Sequence, residues 1–186
     1  ENDLLHGLEL NPRYARGYEL LATRQGSSMV RLDEALRSID RAIALDPLTP
    51  GNYQSKADIL MSRGAWPEAA AMERRALELN SEFRDAVASL GLLLSIQGNF
   101  AEAIVYGEQS VALDPRSVLN RDALAHLYLV IGDIEAAREV SVPPAANTTV
   151  LTLWLQGNVA QAADMLYSDK NGLATQLGPM WLSQIV

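Results

Sequence analysis

The apolar positions fall in bursts with helical spacing, separated by short polar breaks. One stretch shows the pattern whole. It reads Asp85-Ala-Val-Ala-Ser-Leu-Gly-Leu-Leu-Leu-Ser-Ile-Gln-Gly98-Asn-Phe100-Ala-Glu-Ala103-Ile and closes with Val111-Ala-Leu-Asp114-Pro115. Apolar residues three and four apart form one stripe on each side of Gly98-Asn99, which predicts two amphipathic helices meeting at a tight turn. Asp114-Pro115 stops the second helix, because proline lacks the amide that the next turn would need.

The same unit recurs. Ala35, Ala69, Ala103 and Ala137 are each 34 residues apart, as are Gly64, Gly98 and Gly132. The helix stops Asn11-Pro12, Asp46-Pro47, Asn80-Ser81 and Asp114-Pro115 step by 35, 34 and 34. Three independent markers keep one period, the signature of a repeat array. Small residues suit the point where two helices cross most closely, since a larger side chain would push them apart. Glycine suits the turn, where a left-handed residue ends the first helix.

This pattern resembles the tetratricopeptide repeat, a helix-turn-helix unit of 34 residues. The unit ending at Pro115 carries the resemblance in Val87, Leu90-Gly91, Leu94, Gly98, Phe100, Ala103 and Pro115. The preceding unit carries it in Tyr53, Ala57, Leu60, Gly64, Trp66, Ala69 and Ala76, and departs from it at Lys56 and Ser81. The resemblance implies an all-α fold, an α-solenoid of antiparallel helix pairs wound as a right-handed superhelix. It covers residues 1–140: the second helix of a partial repeat at 1–12, then units at about 14–47, 50–81, 84–115 and 118–140.

Helices are expected at about 14–25, 33–45, 52–63, 67–79, 84–97 and 101–113. The turn between the first two is about one residue longer than the others. The fourth unit opens with Leu124-Ala125, Tyr128 and Gly132-Asp133, but Ser141-Val-Pro-Pro144 cuts its second helix short. Residues 141–186 are divergent. Gly157-Asn158 with Ala162-Ala163 reads as a shortened fifth unit at 148–168, and 173–184 as a terminal helix, about eleven or twelve helices in all. Residue 1 is Glu rather than Met, so the chain reads as a processed or excised piece.

Composition narrows the function. A net charge of -8 over 186 residues argues against nucleic acid as the main ligand, which needs a basic face. There are no cysteines, and therefore neither disulfides nor a Cys zinc site. No apolar run approaches the roughly 20 residues of a membrane helix. Localisation stays open between cytoplasm and periplasm. Residues 140–186 hold only Asp164, Asp169 and Lys170 as charged groups. This apolar tail reads either as a homodimer or intramolecular domain contact, or as a hydrophobic cap folded onto the array.

Catalytic chemistry finds little support. His6 and His126 are the only histidines, and no Gly-rich phosphate loop, HExxH or EF-hand pattern occurs. His126 lies four residues after Asp122 on one helix, an ordinary surface pair without an accompanying Ser or Cys nucleophile motif. No catalytic residue, metal site or cofactor is expected. Trp66, at the turn-hydrophobe position, is expected in the core.

The better candidate is the groove that the resemblance implies on the first helices. There the groove-side positions are Glu19 and Thr23, then Gln54, Asp58 and Met61, then Asp85, Ala88, Leu92 and Ser95, then Asp122, His126 and Leu129. They are acidic and partly apolar. Family members that hold the acidic C-terminus of a chaperone use Lys, Arg and Asn here, and this chain lacks that set. The expected function is a non-catalytic scaffold holding a basic, amphipathic protein or peptide segment. The alternative, which the resemblance implies because family arrays are often fused to other domains, is a regulatory or sensory arm of a larger, for example bacterial, protein whose effector domain lies outside this chain.

Overall fold

The computed structural model describes residues 2–141 together with 153, 156–158, 160 and 161. Among these residues the regular structure is all helical: α1 (Asn2–Leu10), α2 (Ala15–Gly26), α3 (Leu32–Leu45), α4 (Pro50–Ser62), α5 (Trp66–Leu79), α6 (Arg84–Ile96), α7 (Phe100–Leu113), α8 (Val118–Val130) and α9 (Ile134–Val140). Two compact units divide between Leu113 and Asp114. The first carries α1–α7 and the second α8 and α9.

In the first unit the helices pack as hairpins, α2 with α3, α4 with α5, and α6 with α7. Each hairpin then stacks on the next through α3 against α4 and α5 against α6, and α2 also touches α4. In the second unit α8 packs with α9. Neighbour-to-neighbour packing of this kind is how a repeat array buries the apolar face that no single hairpin can cover alone.

The turns show why the period holds. Gly64, Gly98 and Gly132 have φ of 79°, 78° and 83°. The following amide reaches back to the last turn of the first helix: Ala65 N donates to Leu60 O, Asn99 N to Leu94 O and Asp133 N to Tyr128 O, each at 2.9 Å. This is the glycine-ended C-cap that satisfies otherwise orphaned carbonyls. Gly157 repeats it, with φ 77° and Asn158 N donating to Leu153 O at 2.8 Å. The first hairpin differs. Gly26 stays inside α2, and its longer turn closes through Arg31 N donating to Ser28 O at 2.9 Å.

Helix starts are fixed by other means. Pro50 and Pro67 sit in the first turns of α4 and α5, where a missing amide does no harm. Ser117 Oγ accepts from Asn120 N and an Asp133 carboxylate oxygen accepts from Ala136 N, capping α8 and α9.

Ala35, Ala69, Ala103 and Ala137, the 34-residue series, are all 0% exposed. Ala22, Leu32, Ile39 and Ala42 close around Ala35, with Ile59 of the next hairpin completing the cluster. Tyr53, Ala76 and Ala86 join the second and third hairpins. Ala125, Leu129 and Ala137 form the core of the second unit. Trp66 departs from the sequence expectation: it is 38% exposed, and its main-chain oxygen accepts from Gln97 Nε2. The expected fifth unit and terminal helix, and the contact expected of 140–186, lie almost wholly outside the described residues.

Candidate peptide-binding face

The first helices α2, α4 and α6 carry the expected groove positions of the first unit. Between α2 and α4 a shallow depression is lined by Glu19, Thr23, Gln54, Ser55, Asp58 and Ser62, among others. Four of the sequence-predicted residues, Glu19, Thr23, Gln54 and Asp58, thus meet at one place. Their spacing explains this, since positions three and four apart share one helix face.

The local hydrogen bonds set which acids are committed. Glu19 is nearly buried and answers Arg16, with Nη1 at 2.6 Å, while Ser55 Oγ donates to its other oxygen at 3.5 Å. Asp58 is exposed, and Gln54 Nε2 donates to it at 2.7 Å. Burial of its surroundings raises the Asp58 pKa, the negative charge of Asp85 on α6 raises it further, and the Gln54 bond partly opposes both. Asp58 and Asp85 therefore form an acidic pair contributed by two successive hairpins. Met61 is half-buried on α4, and Leu92 on α6 is 55% exposed, an apolar surface beside the acids.

The acidic pair has a third member that sequence reasoning missed. Glu73 of α5 is 0% exposed, and neither of its carboxyl oxygens has a hydrogen-bond partner of good geometry. Burial, then the negative charge of Asp58, push its pKa up to about 8; Asp85 adds to the rise and the Ser89 hydroxyl offsets it only in part. The signal was available. Counting 34 residues back from Glu73 gives Ile39, which is likewise fully buried. An ionisable group stands where the preceding unit keeps an aliphatic one.

In the second unit Asp122 and His126 lie four residues apart on α8. Asp122 is half-buried, with one carboxylate oxygen lacking a partner. His126 is on the exposed side, and partial loss of hydration lowers its pKa. Leu129 does not belong to an open face. It is 5% exposed and packs against Ala125 and Ala137. The stripe through Asp122 and His126 runs along the border of the packed side, and a large apolar residue there turns into the α8–α9 contact.

Among the described residues, no group of three or more His, Cys, Asp or Glu side chains could hold a metal ion. No helix of the described residues is long and apolar enough to cross a membrane.

No family model matches the chain, and no curated protein matches its sequence. Solved structures do match in three dimensions. YrrB, described as a TPR protein with an unusual peptide-binding site, is 23% identical, covers 88% of each chain and has a TM-score of 0.69. PilF of Pseudomonas aeruginosa is 21% identical over 89% of this chain and 77% of its own, with a TM-score of 0.73. The first TPR of Spaghetti (RPAP3), bound to the HSP90 peptide SRMEEVD, is 18% identical over 61% of this chain and 94% of its own, with a TM-score of 0.55. The fold is that of the tetratricopeptide repeat. At these identities the likeness establishes the TPR architecture alone, and the chemistry of the face has to be read from this chain's own residues.

Proposed function

We propose that this TPR chain is a non-catalytic interaction scaffold whose first-helix face holds a basic, amphipathic segment of another protein. The observation that carries the proposal is the convergence of Asp58 and Asp85 from adjacent hairpins beside half-buried Met61 and exposed Leu92. Acidic groups of this kind speed the encounter with a basic partner, while buried apolar anchors set the residence time. Two of the similar structures are described by their peptides, an unusual peptide-binding site in YrrB and a bound HSP90 peptide in the Spaghetti repeat. The second peptide, SRMEEVD, is acidic toward its end. The face of this chain has the opposite preference.

A peptide array probed at low and high salt tests the reading. Basic amphipathic peptides should dominate the hits and weaken as salt screens the attraction. The double variant Asp58→Asn with Asp85→Asn should lose most of the binding and most of its salt dependence. A hit list of acidic peptides, or one unchanged by the double variant, would overturn the assignment.

A further inference from the structure

Glu73 is the one group of the acidic trio that has no evident structural use. A carboxyl at a 0% exposed position without a well-formed hydrogen bond destabilises the fold, and the equivalent Ile39 shows that an aliphatic side chain fits the preceding unit. The groups acting on it are Asp58 from α4, and Asp85 and Ser89 from α6. Among the described residues no cation is among the groups acting on it, and those at α4 and α5 are engaged elsewhere. Lys56 pairs with Asp40, Arg63 with Asp33, Arg74 with Glu102 and Arg75 with Glu78. The result is three carboxyls from three consecutive helices, two at the surface and one beneath them, with no positive charge among them.

We infer that this trio is the seat for a single cationic side chain, a lysine or arginine of the partner segment, and that its arrival drives the Glu73 proton into solvent. The inference rests on the proposed peptide-binding face and adds to it the residue that is recognised and the proton that leaves. The cation docks between Asp58 and Asp85, and its field stabilises the carboxylate form of Glu73. Glu73–COOH becomes Glu73–COO⁻, and the proton passes to buffer. Free Glu73 titrates at about 8, so at neutral pH its carboxyl is mostly protonated. Occupancy lowers that value. Affinity therefore rises with pH up to about 8 and levels off above it, by as much as about tenfold per pH unit. The buried acid makes the face discriminating: an apolar contact alone leaves it neutral, and only a cation can ionise it.

Calorimetric titration with a short alternating Leu–Arg peptide, at pH 7 in phosphate and in Tris, counts the protons released. The two buffers differ in ionisation enthalpy, and the difference in observed heat gives the count. Wild-type protein should release close to one proton per peptide. Glu73→Gln should bind with no release and with an affinity that stays flat between pH 6 and 8. Carbon-13 NMR of the Glu73 carboxyl should move to the carboxylate position when peptide is added. Equal proton release by wild type and Glu73→Gln would overturn the inference. So would peptide binding with no release, which leaves the groove reading standing. Absence of binding by Leu–Arg peptides overturns both.

Discussion

Replacing Glu73 with Gln should make the protein more stable at neutral pH and leave it almost unchanged in acid. The substitution keeps the shape of the protonated carboxyl and removes its ability to ionise. In the unfolded chain Glu73 titrates near its ordinary value of 4.5, and in the fold near 8. An acid whose folded value is raised favours the fold only while it is protonated. Its contribution is therefore intact below pH 4.5 and is lost steadily as the pH rises to 8. At pH 7 folding must return a proton to a group that is ionised in the unfolded state. At 1.36 kcal/mol per pH unit above 4.5 this costs about 3 kcal/mol. Glu73→Gln escapes that cost, so it should gain about 3 kcal/mol at pH 7 and less than about 0.5 kcal/mol at pH 4. For a chain of this size the gain corresponds to a rise in Tm of roughly 6–12 °C. Urea unfolding of both proteins at closely spaced pH values between 4 and 8 is the assay. All other titrating groups are common to the pair, so the difference isolates Glu73. A difference that does not grow with pH, or a wild type that gains on the variant above pH 5, would refute the reasoning.

Ala103→Phe should lose about 1–3 kcal/mol through overpacking at the 0% exposed crossing of α6 and α7, whereas Glu102→Ala at the surface should stay within about 0.5 kcal/mol in the same melts. Gly98→Ala should lose about 1–2 kcal/mol from backbone strain alone, because φ is 78° while an added Cβ would meet nothing within 4 Å. Asp58→Asn should lower the pKa of Glu73 by removing a charge that raises it, seen as an earlier carboxyl transition in carbon-13 NMR. Between that lowered value and about 8 the Asp58→Asn protein should stop losing stability on account of Glu73, while wild type goes on losing it.

The architecture was written in the residues with least freedom. A left-handed turn admits glycine readily, and a close helix crossing admits alanine, so Gly64, Gly98 and Gly132 and the four buried alanines mark the hairpins from sequence alone. Helix bounds followed within about two residues, because Pro50, Pro67 and the glycine turns leave little latitude. The face was legible only where spacing decides it. Glu19 with Thr23 on α2, and Gln54 with Asp58 on α4, share one depression because each pair lies four residues apart on one face of neighbouring helices. Spacing does not say which side of a border a residue takes. Leu129 sits on the stripe of Asp122 and His126, yet burial against Ala137 draws it inward. Trp66 holds a core position in the repeat but stays partly open, with its main-chain oxygen tied to Gln97. Glu73 was passed over because a glutamate in a helix reads as surface, and only the count of 34 back to Ile39 places it inside.

Backbone chemical-shift changes map where on the protein a bound segment lies. With the Leu–Arg peptide added to isotope-labelled protein, the largest changes should fall on the first helices, at Glu19, Gln54, Asp58, Asp85 and Leu92. The Asp58→Asn, Asp85→Asn protein should show those changes abolished at the same peptide concentration. Changes centred on the second helices, around Arg37 and Arg41 of α3 or on α5 and α7 away from Glu73, would contradict the first-helix assignment.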